Sequence, residues 1–254
     1  MNFDISGLPA RSSKPRQQGL TMVMDKGLSI QGAESFLSIA APFTDIVKLG
    51  FGTAYVTNCL PEKIKLYREA GMMTYFGGTL FEAFLVRDQF DDYLRVLDKF
   101  GMDYAEVSDG SVELLHDKKC EYIGKLSKHV GVFSEVGSKD AEKIIAPYQW
   151  IELMKKELEA GALKVIAEAR EGGTVGIYRS SGEVRMGLVQ EILTEIPGER
   201  IIWEAPQKPQ QVFFIKLLGS DVNLGNIAPA EVLPLETLRL GLRGDTFHHF
   251  LKTE

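Results

Sequence analysis

Four glutamates stand at the carboxyl ends of predicted β-strands, and they are the residues of this chain best suited to chemistry. They are Glu106, Glu135, Glu168 and Glu204, and a lysine, Lys48, ends another predicted strand in the same way. In a parallel barrel the carboxyl ends of all strands meet at one mouth, so these side chains are expected to lie together. Carboxylate oxygens are the ligands that hard divalent cations prefer. The pattern therefore predicts a cation, Mg2+ in the first instance, held by two or three of Glu106, Glu135 and Glu168.

A second interpretation of the same residues requires no metal. The carboxylates could pair with Lys48, Lys139 and Arg170 as an internal network of salt bridges. Charged groups inside a barrel need partners or a ligand, and either arrangement would supply them. Because the four carboxylates recur at one level of the barrel, we favour the metal site as the working hypothesis.

Glycine-rich turns follow several predicted strands, where bare backbone N–H groups can approach phosphate oxygens. The turns span 50–53, 77–79 and 223–226, and none matches a dinucleotide-binding or Walker loop. In a (β/α)8 barrel the loops after strands seven and eight usually bind phosphate. The residues assigned to substrate binding on this ground are Gln207, Asn223, Gly225 and Asn226. Arg170 and Lys139 would add positive charge for a phosphate, carboxylate or sulfonate group.

Eight pairs of a strand and a helix, of roughly equal length, account for most of the chain. Short apolar runs rich in β-branched residues alternate with segments of helical periodicity. The predicted strands cover residues 20–24, 45–49, 73–76, 104–107, 132–136, 163–167, 200–203 and 221–224. A long glycine-rich connection over 172–182 is expected to form a lid or binding loop. We predict a single-domain α/β protein, a (β/α)8 TIM barrel over residues 1–254 with a polar N-terminal arm of about residues 1–19.

The composition excludes several classes of protein. The formal charge of −6 is spread along the 254 residues, and no run of Lys and Arg suggests a nucleic-acid partner. No stretch is apolar enough to span a bilayer or to act as a secretion signal. Cys59 and Cys120 indicate no disulfide scaffold and are expected to be reduced. We therefore expect a soluble cytoplasmic protein that acts on small molecules, with neither nucleic acid nor membrane as a partner.

The remaining reactive residues give weaker signals. None of the four histidines ends a predicted strand, so a zinc site or a histidine base is not expected. Neither cysteine has a sequence context that marks a nucleophile. Arg239 lies in the last predicted helix and Arg243 and Asp245 follow it, and capping and ion pairing of that helix are the simplest interpretation.

Six sequence blocks, in order along nearly the whole chain, resemble the phosphosulfolactate synthase family. They read KLGFGT at 48–53, EVG at 135–137, EAREGG at 168–173, WEAPQKPQQ at 203–211, NLGNI at 223–227 and LETLRLGLRGDTF at 235–247. The blocks EAPQK-QQ and LETLR-GLRGDT are long enough to be specific. Gly172 departs from the family pattern, in which we expect serine more often, and this affects only the contacts of that loop.

The resemblance implies a (β/α)8 barrel and a particular reaction. That reaction is the Mg2+-dependent addition of sulfite to phosphoenolpyruvate, which gives (2R)-3-phosphosulfolactate on the route to coenzyme M. The resemblance also implies Lys139 as the general acid that protonates C2 and Arg170 as a ligand for phosphate or sulfite. Lys48 is the second candidate for the acid, and its alternative role is to neutralise Glu106 or Glu135. The catalytic set is therefore Lys139, Lys48 and Glu204.

Two alternatives stay open beside the synthase. Members of the family occur in organisms that make no coenzyme M, and plant relatives are associated with heat tolerance, so the chain could be a stress-related protein with little synthase activity. It could also be another enolate-forming enzyme that acts on a phosphorylated acid. The resemblance further implies a homo-oligomer, with a trimer as the preferred form and the C-terminal segment at an interface.

Overall fold

Eight parallel strands form a single sheet in the computed structural model of the protein, which describes residues 2–137 and 145–251. The strands lie in the order β3-β2-β1-β8-β7-β6-β5-β4, so the first and last strands of the chain are hydrogen-bonded neighbours. Their bounds are β1 Thr21–Asp25, β2 Ile46–Leu49, β3 Met73–Phe76, β4 Tyr104–Val107, β5 Gly131–Val136, β6 Ala162–Ala167, β7 Ile201–Glu204 and β8 Leu224–Ile227. With helices packed outside the sheet, this architecture confirms the predicted (β/α)8 TIM barrel.

The barrel is nearly closed, with a seam between β3 and β4. In the described parts of the chain, parallel ladders join all the other neighbouring strands. Hydrogen bonds bridge the seam at the mouth: the backbone N–H of Gly78 donates to Glu106 Oε1 at 2.6 Å, and Ser108 Oγ donates to Glu82 Oε1 at 2.6 Å. Glu106 thus helps to close the barrel as well as to line its mouth.

Ten α-helices accompany the strands in the described residues. Their bounds are α1 Ile30–Ala40, α2 Leu60–Glu69, α3 Gly78–Leu85, α4 Phe90–Lys99, α5 His116–Leu126, α6 Pro147–Glu159, α7 Met186–Glu195, α8 Lys208–Leu218, α9 Val232–Arg239 and α10 Phe247–Phe250. Proline stands in the first turn of α2, α6 and α8, where its fixed φ suits a helix and its missing N–H leaves no bond unmade. No described helix combines the length and the hydropathy needed to cross a membrane.

Most of the predicted strand bounds lie within one residue of the observed ones, but one strand and one turn were predicted wrongly. The eighth strand spans Leu224–Ile227 and not 221–224, because its pairing with β1 places Leu224 opposite Thr21. Alternation of apolar and polar residues continues through this segment and could not decide the register. The turn predicted over 77–79 is the start of an additional helix, α3, since glycine is well tolerated where a helix begins.

The N-terminal arm packs against the base of the barrel, where the strands begin. The Arg11 guanidinium donates to the carboxylates of Asp221 and Glu236, and Arg16 pairs with Asp45 at 3.4 Å. Ion pairs therefore tie residues 11–16 to the end of the barrel opposite the mouth.

The sequence suggested that Arg239 caps its own helix, but the structure buries it inside the base. Its side chain is 0% exposed. One terminal nitrogen, Nη1, donates to the carbonyl oxygens of Ser220 at 2.7 Å and Val222 at 2.6 Å, and Nη2 donates to that of Leu20 at 3.2 Å. Arg239 therefore satisfies backbone acceptors at the points where β1 and β8 begin.

Candidate active site

A cavity of about 380 Å3 opens at the mouth of the barrel, where the carboxyl ends of the strands meet. Five buried charged residues line it, each at the end of a different strand or just after one. They are Lys48 of β2, Glu106 of β4, Glu135 of β5, Glu168 after β6 and Glu204 of β7. The volume lies within the range of about 300–1,000 Å3 that is usual for small-molecule sites. The structure thus brings together the side chains on which the sequence prediction was built.

Lys48 is the centre of this cluster. Its Nζ lies 2.9 Å from Glu106 Oε1, 3.3 Å from Glu135 Oε2 and 3.7 Å from Glu204 Oε1. Burial alone would lower the pKa of Lys48, but the three carboxylates outweigh it and raise that pKa well above its usual value. The lysine is therefore protonated at neutral pH.

Three of the carboxylates are arranged as a metal site would require. Oxygens of Glu135, Glu168 and Glu204 all lie within 4.8 Å of one another, and the three residues are buried. Glu204 Oε2 also accepts a hydrogen bond from the backbone N–H of Ala169 at 2.9 Å. Burial raises the pKa of Glu204 to about 8 even though Lys48 opposes the shift. A divalent cation at this point would relieve the cost of ionising these carboxylates together.

The grouping differs from the predicted metal set in one member. The prediction named Glu106, Glu135 and Glu168, whereas the structure places Glu204 beside Glu135 and Glu168. Glu106 accepts from Gly78 across the seam and pairs with Lys48, and it is not part of the close group of three carboxylates. Burial raises the pKa of Glu106 as well, against the effect of Lys48.

Three residues on the cavity wall have strained backbone. Phe51 after β2, Arg170 after β6 and Asn226 in β8 have φ of 55°, 56° and 56°, in the left-handed region that side chains other than glycine rarely adopt. Such conformations concentrate at functional sites, where they aim a side chain at a ligand. The Asn226 carbonyl oxygen, Oδ1, is buried and accepts no hydrogen bond from the described residues. Arg170 is exposed at the rim of the cavity.

The other residues assigned to substrate binding lie elsewhere. Asn223 is at the base, where its side chain accepts from the N–H of Leu20 at 3.0 Å, because β8 begins one residue after it. Gly225 faces the barrel interior, and a Cβ there would stand 2.4 Å from Met22 Cε, so glycine serves packing at this position. Gln207 is exposed and donates to the carbonyl oxygen of Gly172 at 2.6 Å. Of the four, only Asn226 lines the mouth cavity.

The predicted general acid, Lys139, lies outside the described residues. A residue that the sequence analysis missed is Tyr75, which is paired in register with Lys48 and fully buried beside it. Its hydroxyl donates to Met22 Sδ at 2.8 Å. Burial, reinforced by Glu106, raises the pKa of Tyr75 well above its usual value, so it stays protonated. Strand alternation on β3 could have identified it.

The histidines and cysteines are separate from this site where the structure describes them. His116 Nε2 lies 3.2 Å from Glu157 Oε1, between α5 and α6. Cys59 and Cys120 are free thiols. Among residues 2–137 and 145–251, the His, Cys, Asp and Glu side chains form one grouping suited to a metal ion, the triad at the mouth.

Comparisons with known proteins agree with this geometry. A family model described as (2R)-phospho-3-sulfolactate synthase (ComA) matches residues 9–245. The phosphosulfolactate synthase of Methanothermobacter thermautotrophicus is 42% identical over 244 residues, which cover 94% of this chain and 95% of that protein. That of Bacillus subtilis is 42% identical over 243 residues, 94% and 96% of the two chains. The crystal structure of 3-hexulose-6-phosphate synthase from Salmonella typhimurium superposes with a TM-score of 0.55 at 16% identity, over 88% of this chain and 100% of that one, and shares the fold.

Proposed function

The chain belongs to the (2R)-phospho-3-sulfolactate synthase family, and we propose that it catalyses the Mg2+-dependent addition of sulfite to phosphoenolpyruvate to give (2R)-3-phosphosulfolactate. The observation that carries this proposal is the meeting of three buried carboxylates and a buried ammonium at one mouth. In this reaction the sulfite sulfur bonds to the methylene carbon, the electron pair of the double bond moves to C2 and the carboxylate, and a proton then joins C2. Negative charge therefore develops on a substrate that is already anionic.

Glu135, Glu168 and Glu204 are the residues that would hold Mg2+. Their oxygens lie within 4.8 Å of one another, close enough for a single cation to be held by all three. An all-oxygen donor set is also the kind that Mg2+ prefers. When bound, the ion supplies positive charge that stabilises the developing enolate-like carboxylate. Without a cation the same carboxylates would repel an anionic substrate.

Lys48 supports the site through its charge. Its ion pairs hold Glu106, Glu135 and Glu204 together, and they raise its pKa well above the usual value against the effect of burial. General acids work best when their pKa lies near the working pH, so an ammonium of raised pKa is a poor proton donor. We therefore assign Lys48 to electrostatic stabilisation and keep the proton-donor role for Lys139.

Arg170 and Asn226 are assigned to substrate. The Arg170 guanidinium at the rim has the planar donor geometry that suits phosphate and sulfite oxygens. The buried Asn226 Oδ1, with no hydrogen-bond partner among the described residues, could accept a hydrogen bond from a bound ligand or its water. Arg170 would thus recognise the anionic groups that the acidic triad cannot, whereas Asn226 Oδ1 would bind a protonated oxygen or an ordered water beside them.

Incubation of the purified protein with phosphoenolpyruvate, sulfite and Mg2+ tests the proposed reaction. We expect one product that contains both phosphate and sulfonate, identified by mass spectrometry and by phosphorus NMR. Omission of sulfite and heat-denatured protein are the controls. Consumption of phosphoenolpyruvate at the same rate without sulfite would contradict the synthase and favour another enolate reaction. Intact phosphoenolpyruvate under all conditions would favour the stress-related alternative.

Replacement of Lys139 tests the proton donor. We expect Lys139→Ala to lower kcat by about 10²- to 10⁴-fold, the usual contribution of a general acid, with little change in KM for phosphoenolpyruvate. Lys143→Ala, a lysine of the same sequence segment, is the matched control. An unchanged kcat for Lys139→Ala would remove Lys139 from this role.

Assembly is a separate part of the proposal. We keep the homo-oligomer, with a trimer as the preferred form, as the family resemblance implies. Sedimentation equilibrium at several protein concentrations measures the mass, and a mass of 28.2 kDa at all of them would contradict the oligomer.

A further inference from the structure

The connection between β6 and α7 is a folded loop whose first residues form part of the cavity wall. Residues Arg170, Glu171 and Gly172 line the cavity. Further along, Tyr178 and Val184 pair as a short antiparallel bridge. The loop carries buried apolar side chains of its own, so it is more than a solvent-exposed linker.

Gln210, in the first turn of α8, donates two hydrogen bonds to this loop. Gln210 is 1% exposed, and its Nε2 donates to the carbonyl oxygens of Gly173 at 2.8 Å and Gly182 at 3.2 Å. Its Oε1 accepts from the backbone N–H of Gln207 at 3.1 Å. A single buried amide therefore joins both ends of the loop segment 173–182 to the start of a helix.

Further contacts fix the same loop from either side. The Gln207 side chain donates to the carbonyl oxygen of Gly172 at 2.6 Å, and the Tyr178 hydroxyl donates to the carbonyl oxygen of Glu204 at 2.5 Å. Glycine is required at 173, because its φ is 63° and a Cβ would stand 2.4 Å from Gln210 Nε2. The loop, the α8 turn and the strand that carries Glu204 are thus held as one unit.

We propose that Gln210 is a positioning residue, which holds the Arg170–Gly172 wall of the mouth in place for the anionic substrate without touching that substrate. The inference rests on the proposed function. It also explains why the two glutamines of the block EAPQK-QQ that contact the loop, Gln207 and Gln210, lie outside the cavity. Their amide N–H groups donate to carbonyl oxygens of the loop. Those carbonyl oxygens are acceptors, as phosphate oxygens are, so they could not bind phosphate themselves.

Loss of the Gln210 amide should weaken substrate binding more than metal binding. Glu204 Oε2 is held by the N–H of Ala169 and Glu168 by the N–H of Arg170, so the triad has backbone donors of its own. The rim at Gly172 and Gly173 depends instead on the two glutamine amides. A displacement of about 1 Å in a group that orients the substrate can lower kcat/KM by about 10²-fold, and we expect most of that loss in KM because the displaced groups bind substrate.

Gln210→Met keeps the size of the side chain and removes its amide. We expect amide hydrogen exchange over 172–184 to accelerate at least about tenfold, because the loop loses hydrogen bonds that hold it closed. We also expect KM for phosphoenolpyruvate to rise between about 10- and 100-fold, with a smaller change in kcat and in the Mg2+ concentration needed for half activity. Gln207→Ala, an exposed change that cannot disturb the core, should produce a weaker form of the same result.

Gln211→Met is the matched control. Gln211 is equally buried, at 1%, but its amide donates at 3.2 Å to the carbonyl oxygen of Ala205, which directly follows β7, and not to the loop over 172–184. We expect this variant to lose stability while exchange over 172–184 and KM stay at the wild-type values.

Hydrogen exchange and substrate affinity separate this inference from the proposed function. Calorimetric binding of phosphoenolpyruvate replaces KM if no sulfonated product forms, so failure of the synthase does not remove the test. Wild-type exchange over 172–184 in both Gln210→Met and Gln207→Ala would overturn the inference. Faster exchange with unchanged phosphoenolpyruvate affinity would also overturn it, because the loop would then be held without serving the site.

Discussion

The two ends of the barrel differ in the balance of positive and negative charge among their buried side chains. At the base, Arg239 donates to three backbone carbonyl oxygens and Arg11 pairs with two carboxylates. At the mouth, in the part of the chain that the structure describes, four glutamates line the cavity, and three of them lie within 3.7 Å of Lys48. Acidic and basic groups thus match each other at the base, whereas carboxylates dominate the mouth.

This difference suggests that the buried charges of the base stabilise the fold and that those of the mouth serve ligand binding. A buried charge that is paired with the protein's own groups contributes to a unique fold, and its loss is costly. A buried cluster of like charges costs free energy unless a ligand neutralises it, and this is a mark of binding sites. In TIM barrels generally, the base serves stability and the mouth serves chemistry.

Removal of metal should have the largest effect, and it should act on the mouth alone. We expect EDTA to abolish synthase activity and excess Mg2+ to restore it, since the charge of the triad would no longer be neutralised. Circular dichroism should show the fold retained, and Mg2+ should raise the melting temperature in proportion to its binding. Full activity in the presence of EDTA would contradict the metal site. The carboxylates of the mouth would then not need a cation, and the proposed difference between mouth and base would fail.

Glu204→Gln should separate activity from stability at the mouth. We expect kcat to fall by about 10²- to 10³-fold, as for other groups that stabilise charge in the transition state. The melting temperature should stay equal or rise, because burial already raises the pKa of Glu204 to about 8 and glutamine resembles the neutral acid. Enzyme assays and thermal denaturation measure the two effects.

The control for Glu204→Gln is Glu183→Gln, which removes an exposed carboxylate of the neighbouring loop. It should change neither quantity. A Glu204→Gln variant of wild-type kcat would show that the triad does not take part in the reaction.

Arg239→Met should give the reverse result at the base. We expect the free energy of unfolding to fall by about 3 kcal/mol, because buried carbonyl oxygens lose their donors. The kcat of the folded enzyme should stay unchanged, since Arg239 lies at the end of the barrel opposite the cavity. Urea denaturation and steady-state kinetics measure the two quantities.

Arg95→Met on the exposed face of α4 is the control for Arg239. It breaks a surface ion pair with Asp92 and should cost less than about 1 kcal/mol. If Arg239→Met were as stable as Arg95→Met, the buried Arg239 would not stabilise the base of the barrel.

The smallest expected effect is a pH dependence at the base. Burial pushes the pKa of Asp221 upward, but the hydrogen bond from Ser12 and the charge of Arg11 outweigh it and lower that pKa below its usual value. The stabilisation from Asp221 should therefore be complete above the unfolded pKa of about 3.9 and lost as the pH falls through the folded pKa.

Urea denaturation of wild type and Asp221→Asn over a series of pH values measures this effect. The difference in stability between the two proteins should be greatest near neutral pH and should shrink below pH of about 4. Asp98→Asn on the exposed surface of α4 is the control. A difference that is constant with pH would contradict the role of ionised Asp221.

Much of the fold could be predicted because each strand is a short apolar run with its own turn. The bounds of β3 and β4, 73–76 and 104–107, agree with the prediction. The eighth strand could not be bounded, because its register follows from pairing with β1, a contact across 200 residues of chain. Helix α3 was missed since its N-cap, Gly77, and its first residue, Gly78, are glycines, which are equally typical of a turn.

The same division holds for the site. Strand ends identified Lys48 and the four glutamates, because every parallel strand of a barrel delivers its last residues to one mouth. Asn223 was assigned to the mouth through the wrong strand bounds and lies at the base. Gln210 carried no signal of its role, since its partners are carbonyl oxygens of a distant loop.

The amino-acid sequence by itself determined the barrel, the family and the set of side chains that meet at its mouth, because these depend on period, chain order and local pattern. Only the tertiary structure decided which carboxylates come close enough to share an ion. The seam between β3 and β4 engages Glu106 with Gly78 and Lys48 and leaves Glu204 beside Glu135 and Glu168. Distances of a few ångströms between strands far apart in the chain depend on register and closure, which no local pattern encodes.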